Sequence, residues 1–268
     1  MSRKLTELKV LIKGGGEVAS GVAHRLFRAH FRICLTEISQ PQAVSRGVSL
    51  SEAVYEGEKE VEGVVARLIR STSEIPSIWG KNKIPIIVDP EAVSKNVLQP
   101  NILIDAIMAK KNTGTSLVDA DLVIGLGPGF RAGKDVHMVV ETGNSERLGK
   151  VIFAGEAEKN TGVPIAIDNL TSERVQYATD GGLFITKREM GEHVIIGEVI
   201  ASVGRQEVKA PTSGVIRALI RSGIIVKRGT KLVEIDPSAN KEACYYIRPR
   251  VRAISGGVLE AILICFNV

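Results

Sequence analysis

A chain of 268 residues, 44% of them apolar and with a net charge of +5, can bury one large core or two smaller ones and has the composition of a globular protein in water. Its three cysteines, Cys34, Cys244 and Cys265, lack metal-like spacing and are odd in number, which fits free thiols in a reducing cytosol rather than a disulfide framework. The last apolar run, Gly257–Val268, is short and holds Glu260, and MSRKLTELKV at the start has no apolar signal-peptide core, so no membrane association and a cytoplasmic location are expected.

The first elements lie in "KVLIKGGGEVASGVAHRL", residues 9–26. Lys9–Ile12 reads as a buried strand and Glu17–His30 as a helix, with Val18, Gly21, Val22 and Leu26 on one side. Gly14, Gly15 and Gly16 stand between them. Gly14-x-Gly16-x-x-Ala19 satisfies a dinucleotide-binding pattern: one glycine for a tight turn, one for close approach to phosphate, and a small residue for helix–strand packing. The helix start offers free N–H groups and partial positive charge to an anion. Glu37 ends the next strand, Arg32–Glu37, where an acid would reach a ribose hydroxyl, and Lys13 would add charge. Three glycines also suit a plain tight turn, and the motif does not by itself imply hydride transfer.

Further along, Val61–Arg70 reads as helical, and Ile84–Asp89, Asn101–Asp105 and Leu122–Gly125 read as short Val/Ile/Leu-rich strands. Strands alternating with helices predict an α/β fold: a Rossmann-like, mostly parallel sheet covered on both faces. Asp89 and Asp105 end two of these strands and would border a ligand crevice or simply make turns. The stretch "DLVIGLGPGFRAGKDVHMVVETG", residues 121–143, adds Gly127, Gly129, Arg131 and Lys134, a candidate N–H nest with positive charge. A glycine-rich surface connection is the second reading, and a metal site at Asp135, His137 and Glu141 comes last, because Asp-x-His alone is a weak metal signal, so no metal is expected. Val136–Glu141, Lys150–Phe153 and Pro164–Ile167 form a second strand group.

Beyond residue 180 the texture changes. "MGEHVIIGEVIASV" (190–203) and "RSGIIVKRGTKLVEI" (221–235) share a Gly-then-strand pattern, which suggests a small β-sandwich. Between Arg205 and Arg252 eleven Lys or Arg face four Asp or Glu. That excess suits anionic partners, but few aromatic residues accompany it, so a solvated basic face is expected rather than a nucleic-acid site. Three regions follow: a Rossmann-like α/β region 1–180, a β module 181–240 and a C-terminal segment 241–268 that packs back on the first.

Residues 210–216, APTSGVI, and 226–232, VKRGTKL, resemble a biotinyl/lipoyl-type barrel-sandwich module. Its acceptor lysine would stand near Ser202-Val203-Gly204-Arg205, where there is none, so a carrier role is not expected. "LIKGGGEVASGVAHRL" (11–26), "SEAVYEGEKEVEGVVARL" (51–68), "GLGPGFRAGKDVHMVVETGN" (125–144) and "RAISGGVLEAIL" (252–263) together resemble the selenium-dependent molybdenum hydroxylase accessory proteins of the YqeB type. The resemblance departs at Gly143–Arg147, where a basic, histidine-containing turn is expected. It implies a maturation factor for such hydroxylases, with the hydroxylase apoprotein as partner and a nucleotide or molybdopterin-type cofactor as its phosphate-bearing ligand. It carries no catalytic residues with it. The alternative is an NAD(P)-dependent oxidoreductase on the same loop, against which the chain shows no convincing proton-donor dyad beside that loop.

Overall fold

The computed structural model describes residues 4–164 and 166–267. They divide into two compact units, one of residues 1–41, 49–160 and 247–268 and one of 42–48 and 161–246.

In the first unit, Lys9–Lys13 (β1), Glu17–Arg28 (α1) and Arg32–Glu37 (β2) follow one another as the apolar spacing predicts. Then come Ala53–Glu56 (α2), Glu58–Val61 (β3), Val64–Ile69 (β4), Ile75–Gly80 (α3), Ile84–Val88 (β5), Lys95–Leu98 (α4), Ile102–Asp105 (β6) and Leu122–Leu126 (β7). Arg131–Ala132 (β8), Met138–Val140 (β9), Val151–Ile152 (β10) and Gly155–Glu156 (β11) complete its strands. Nine of these form one sheet in the order β10-β9-β7-β6-β1-β2-β5-β4-β3.

The sheet corrects the expected Rossmann-like class, because it is mixed: β3 pairs antiparallel with β4 at one end and β10 with β9 at the other. Nor do long helices bridge all its strands, since α4 is a single turn and β6 reaches β7 through a loop and one 3-10 turn. The segment expected to be helical at 61–70 is instead strand β4. Glu62 and Gly63 have φ of +45° and +80°, the backbone of a tight hairpin turn, and the β-branched residues around them favour extended chain. Spacing of apolar residues marks where a strand lies but not its partner or direction, which the antiparallel pairs at the two ends of the sheet decide.

The second unit contains Val175–Tyr177 (β12), Gly182–Ile185 (β13), His193–Val194 (β14), Val199–Val203 (β15), Gln206–Lys209 (β16), Gly214–Leu219 (β17), Ile224–Val226 (β18) and Lys231–Asp236 (β19). They make two four-stranded antiparallel sheets, β12-β19-β17-β14 and β16-β15-β13-β18. These two sheets replace the expected barrel-sandwich module. Of the expected strand 164–167, residue 165 lies outside the described residues, and Ile167 makes only an isolated bridge with Leu170.

Pro249–Phe266 forms α5, with Pro249 at its first turn as suits a residue without an N–H. It packs on α1 and against β7, β9 and β10. Near the crossing, the Glu62 carboxylate accepts from Arg252 Nη2 at 2.7 Å and from the Ile247 N–H at 2.7 Å. Burial pushes the Glu62 carboxyl up, but these donors outweigh it and hold the group below the usual carboxylate range. Burial lowers the nearby His24 imidazole below its ordinary 6.5, only partly offset by Glu62. An imidazole with a depressed folded pKa binds fewer protons than in the unfolded chain, so its contribution is lost as pH falls below 6.5. The Glu62 contribution is present above the unfolded value of 4.5 and lost as pH falls through the lower folded one. Thermal melting across pH 8 to 3 is therefore expected to show stability declining in two stages, with His24→Gln flattening the upper stage. A profile for that variant that matches the parent would contradict the assignment.

Candidate functional site

The carboxyl ends of β1, β2, β6 and β7 share one edge, because these strands are parallel and in register: Lys13 sits opposite Thr36 and Asp105, and Asp105 opposite Gly125. Gly14, Gly15 and Gly16 lead from this edge into α1. Gly14 has φ +96°, a conformation an L side chain rarely adopts. A Cβ on Gly15 would lie 3.1 Å from Ser51 N and 3.2 Å from the Ile86 side chain. The fold itself thus accounts for two glycines.

Gly16 is different. It is the N-cap of α1 with φ −68°, and a Cβ there would meet nothing within 4 Å. Open space faces the position, and no side chain caps the first N–H groups of α1, which have no intrahelical acceptors. An uncapped helix start of this kind can accept an anion.

Several neighbours shape the loop. Glu37 Oε2 accepts from the Gly15 N–H at 2.8 Å and Oε1 from the Ile38 N–H at 2.8 Å. Burial raises the Glu37 carboxyl above its usual range, while both N–H donors pull it back. Its position at the end of β2 is as the sequence suggests, but both oxygens hold backbone. Ser51 N–H donates to the Gly15 carbonyl, and Ser20 Oγ donates to it as well. The buried Ser51 hydroxyl finds no partner among the described residues.

Lys13 does not serve the loop. It is buried against Asp105 at 3.2 Å and donates to Thr115 Oγ1 at 2.7 Å, and that hydroxyl donates to Asp105 Oδ2 at 2.6 Å. The other acids considered from sequence are likewise committed to backbone: Asp89 to the N–H groups of Val93 and Ser94, Asp135 to that of Arg131. Glu141 accepts from Thr142, Gly143 and Glu158, and His137 Nδ1 accepts from Val123 N–H. Among the described residues no group of three His, Cys, Asp or Glu could hold a metal.

The second glycine loop begins at the same edge, two strands from β1. Gly127 has φ +74° and lies against Thr142 Oγ1, and Gly129 has φ +112° against the Lys110–Lys111 backbone. Arg131 and Lys134 are brought elsewhere. Because β9 is parallel to β7, the chain between them must return to the amino edge, and His137 N–H already bonds Val123 O near the start of β7. Arg131 and Lys134 are exposed on that return, leading away from Gly16.

Two arginines missed in the sequence take their place. Arg248 Nε contacts Glu17 Oε1 at 3.0 Å in the first turn of α1. Half-buried Arg250 donates through Nε to the Thr142 carbonyl at 3.0 Å. Burial lowers the Arg250 guanidinium from its usual value, with Glu17 and Glu141 opposing and Arg248 adding to the shift, yet a guanidinium stays protonated at neutral pH. The signal available in the sequence was "RPRVR", residues 248–252: a basic stretch with proline at a helix start. Nothing local tied it to a loop more than 230 residues earlier.

No protein-family model matches the chain. It is 42% identical over 258 residues to the uncharacterised protein YqeB of Escherichia coli (strain K12), covering 96% of this chain and 48% of that protein, so it spans about half the length of that curated relative. Among solved structures it is similar to the product-bound ectoine utilization protein EutE (DoeB) of Ruegeria pomeroyi, at 10% identity over 85% of each chain with a TM-score of 0.26. It is also similar to a succinylglutamate desuccinylase of Silicibacter sp., at 11% identity over 85% and 84% of the chains with a TM-score of 0.24. An aspartoacylase family protein of Mesorhizobium loti gives 12% identity over 85% of each chain and a TM-score of 0.27. Scores this low carry no argument about chemistry. The 42% identity to YqeB runs across nearly the whole chain and is a similarity to about half of that protein.

Proposed function

We propose that the chain is a cytoplasmic accessory factor in the maturation of selenium-dependent molybdenum hydroxylases, and that it binds a phosphate-bearing cofactor, a nucleotide or a molybdopterin-type compound, at Gly14–Gly16. The observation that supports binding there is Gly16 itself: an uncapped helix start faces open space at the one glycine of the three that the fold does not require. Arg250 and the start of the second glycine loop, Gly127 and Gly129, border the same edge. The hydroxylase role rests on the sequence resemblance, and the hydroxylase apoprotein is the proposed partner.

Thermal-shift titration with nucleotides, NAD(P)H and molybdopterin compounds tests the site. A ligand at 100 times its Kd stabilises by about 2.7 kcal/mol. Gly16→Val is expected to fold normally, since its side chain enters open space, and to lose that shift. Arg250→Ala is expected to weaken the ligand by about 1.5–3 kcal/mol, the range for a charged hydrogen bond, and Arg131→Ala to change it far less. Unchanged binding by Gly16→Val would place the ligand elsewhere. Preference for NAD(P)H with hydride transfer would favour the oxidoreductase alternative, and failure to co-purify with a hydroxylase apoprotein would argue against the accessory role.

A further inference from the structure

At the opposite end of α1 from Gly16, a groove of about 340 Å³ lies beside the α1–α5 crossing, lined by His24, Arg25, Arg28, Ile247, Arg252 and Ser255 among others. Three guanidiniums border it, and the carboxylate that enters their neighbourhood is Glu62. That carboxylate is already committed: Arg252 Nη2 reaches Oε1 and Oε2, each at 2.7 Å, and the Ile247 N–H takes Oε1 as well. Arg25 Nη2 donates to the Arg252 carbonyl at 3.3 Å. Its guanidinium therefore leans across to α5 rather than neutralising the carbonyl end of its own helix. Among the described residues Arg25 has no carboxylate partner, and Arg28, one turn further along, makes no ion pair.

Positive groups left unbalanced in a concave site cost free energy by mutual repulsion, and a cavity of this size suits a small molecule. The planar fork of a guanidinium matches the paired oxygens of phosphate. We propose that this groove binds a phosphoryl oxyanion, the phosphate group of a small phosphomonoester, with Arg25 and Arg28 as its ligands and Ile247 as part of the apolar wall. Arg252 remains with Glu62 and frames the site. The groove is separate from the glycine loop, at the other end of a twelve-residue helix.

Isothermal titration of the full chain with inorganic phosphate and with pyrophosphate at low ionic strength tests this, with binding located by phenylglyoxal modification of arginines read by peptide mass. The expected result is saturable binding that slows modification of Arg28 and weakens about tenfold or more in Arg28→Ala and in Arg25→Gln, the scale of one charge-assisted hydrogen bond. Arg70→Ala, at an exposed remote site, should leave binding unchanged, and circular dichroism confirms that the variants are folded. Four results would overturn the proposal: no saturable heat in the parent chain, an Arg28 modification rate indifferent to phosphate, equal weakening by Arg70→Ala, or binding that is lost in Gly16→Val and kept in Arg28→Ala. The last would assign phosphate to the glycine loop. Loss in Arg28→Ala with retention in Gly16→Val supports the groove whatever the fate of the loop site.

Discussion

Gly21→Val is expected to destabilise the first unit by about 3 kcal/mol or more, the upper end of the cost of overpacking. Gly21 lies at the crossing of α1 and α5. A methyl group on it would overlap Val251 Cγ1 and come within 3.3 Å of Ile247 Cγ2 and 3.4 Å of Ser255 Oγ. Those partners cannot easily retreat, because Val251 and Ser255 are buried on the facing side of α5. Replacing glycine in a helix interior would otherwise gain up to about 1 kcal/mol in propensity, so a net loss measures the clash. Gly256 on α5 is the control: a Cβ there meets nothing within 4 Å, and Gly256→Ala is expected to stabilise by up to about 1 kcal/mol. Urea unfolding followed by the fluorescence of Trp79, the only tryptophan in the chain and part of the first unit, reads both. Similar midpoints for the two variants would mean that the helices do not meet at Gly21. Because α5 carries Arg248 and Arg250 to the first turn of α1, the same substitution is expected to weaken ligand binding at the glycine loop.

The second large effect is expected in the other unit. Arg174 Nη1 meets Glu234 Oε1 at 2.7 Å, with both side chains only 1% exposed. Arg174 Nε also donates to the Leu170 carbonyl at 3.2 Å, and Lys231 reaches the second Glu234 oxygen at 2.6 Å from a position 30% exposed. Removing one member of a buried pair leaves the other charge desolvated, at a cost of about 3–5 kcal/mol. Lys231 partly compensates, so Arg174→Ala should fall near about 3 kcal/mol. The double variant Arg174→Met, Glu234→Leu removes both charges while keeping volume, and is expected to recover much of that loss. Hydrogen exchange of the amides of β17 and β19 gives the local stability. A double variant as unstable as Arg174→Ala would show that the site depends on the polar pair itself, and an Arg174→Ala variant with native protection would show that the pair contributes little.

What was legible before folding was local. The run Lys9–Ile12, the glycines and the amphipathic stretch after them announced β1, the loop and α1, since each is set by neighbours in sequence: strand burial, φ at Gly14, and the 3.6-residue period of α1. The site at Gly14–Gly16 with Glu37 remains a proposal, and its placement follows from the same local rules. Other segments lie beyond the reach of those rules. Val61–Arg70 has apolar residues that suit either period, and the turn at Glu62–Gly63 decided for a hairpin.

Strand direction, sheet order and the cations beside the loop were decided by tertiary structure alone. Antiparallel pairing at both ends of the large sheet follows from contacts between distant segments, to which single-strand periodicity is blind. Arg131 and Lys134 looked close to the glycine loop because they follow a strand of the same sheet, but the parallel β9 draws them back toward the other edge. Arg248 and Arg250 looked remote, at the far end of the chain, until α5 crossed α1 at Gly21. The residue types by themselves determined which segments would be buried and where the backbone had to turn. Which charges would meet was settled only when packing brought helices from opposite ends of the chain within side-chain reach, because a Coulomb or hydrogen-bond interaction depends on distance in space and not on separation in sequence.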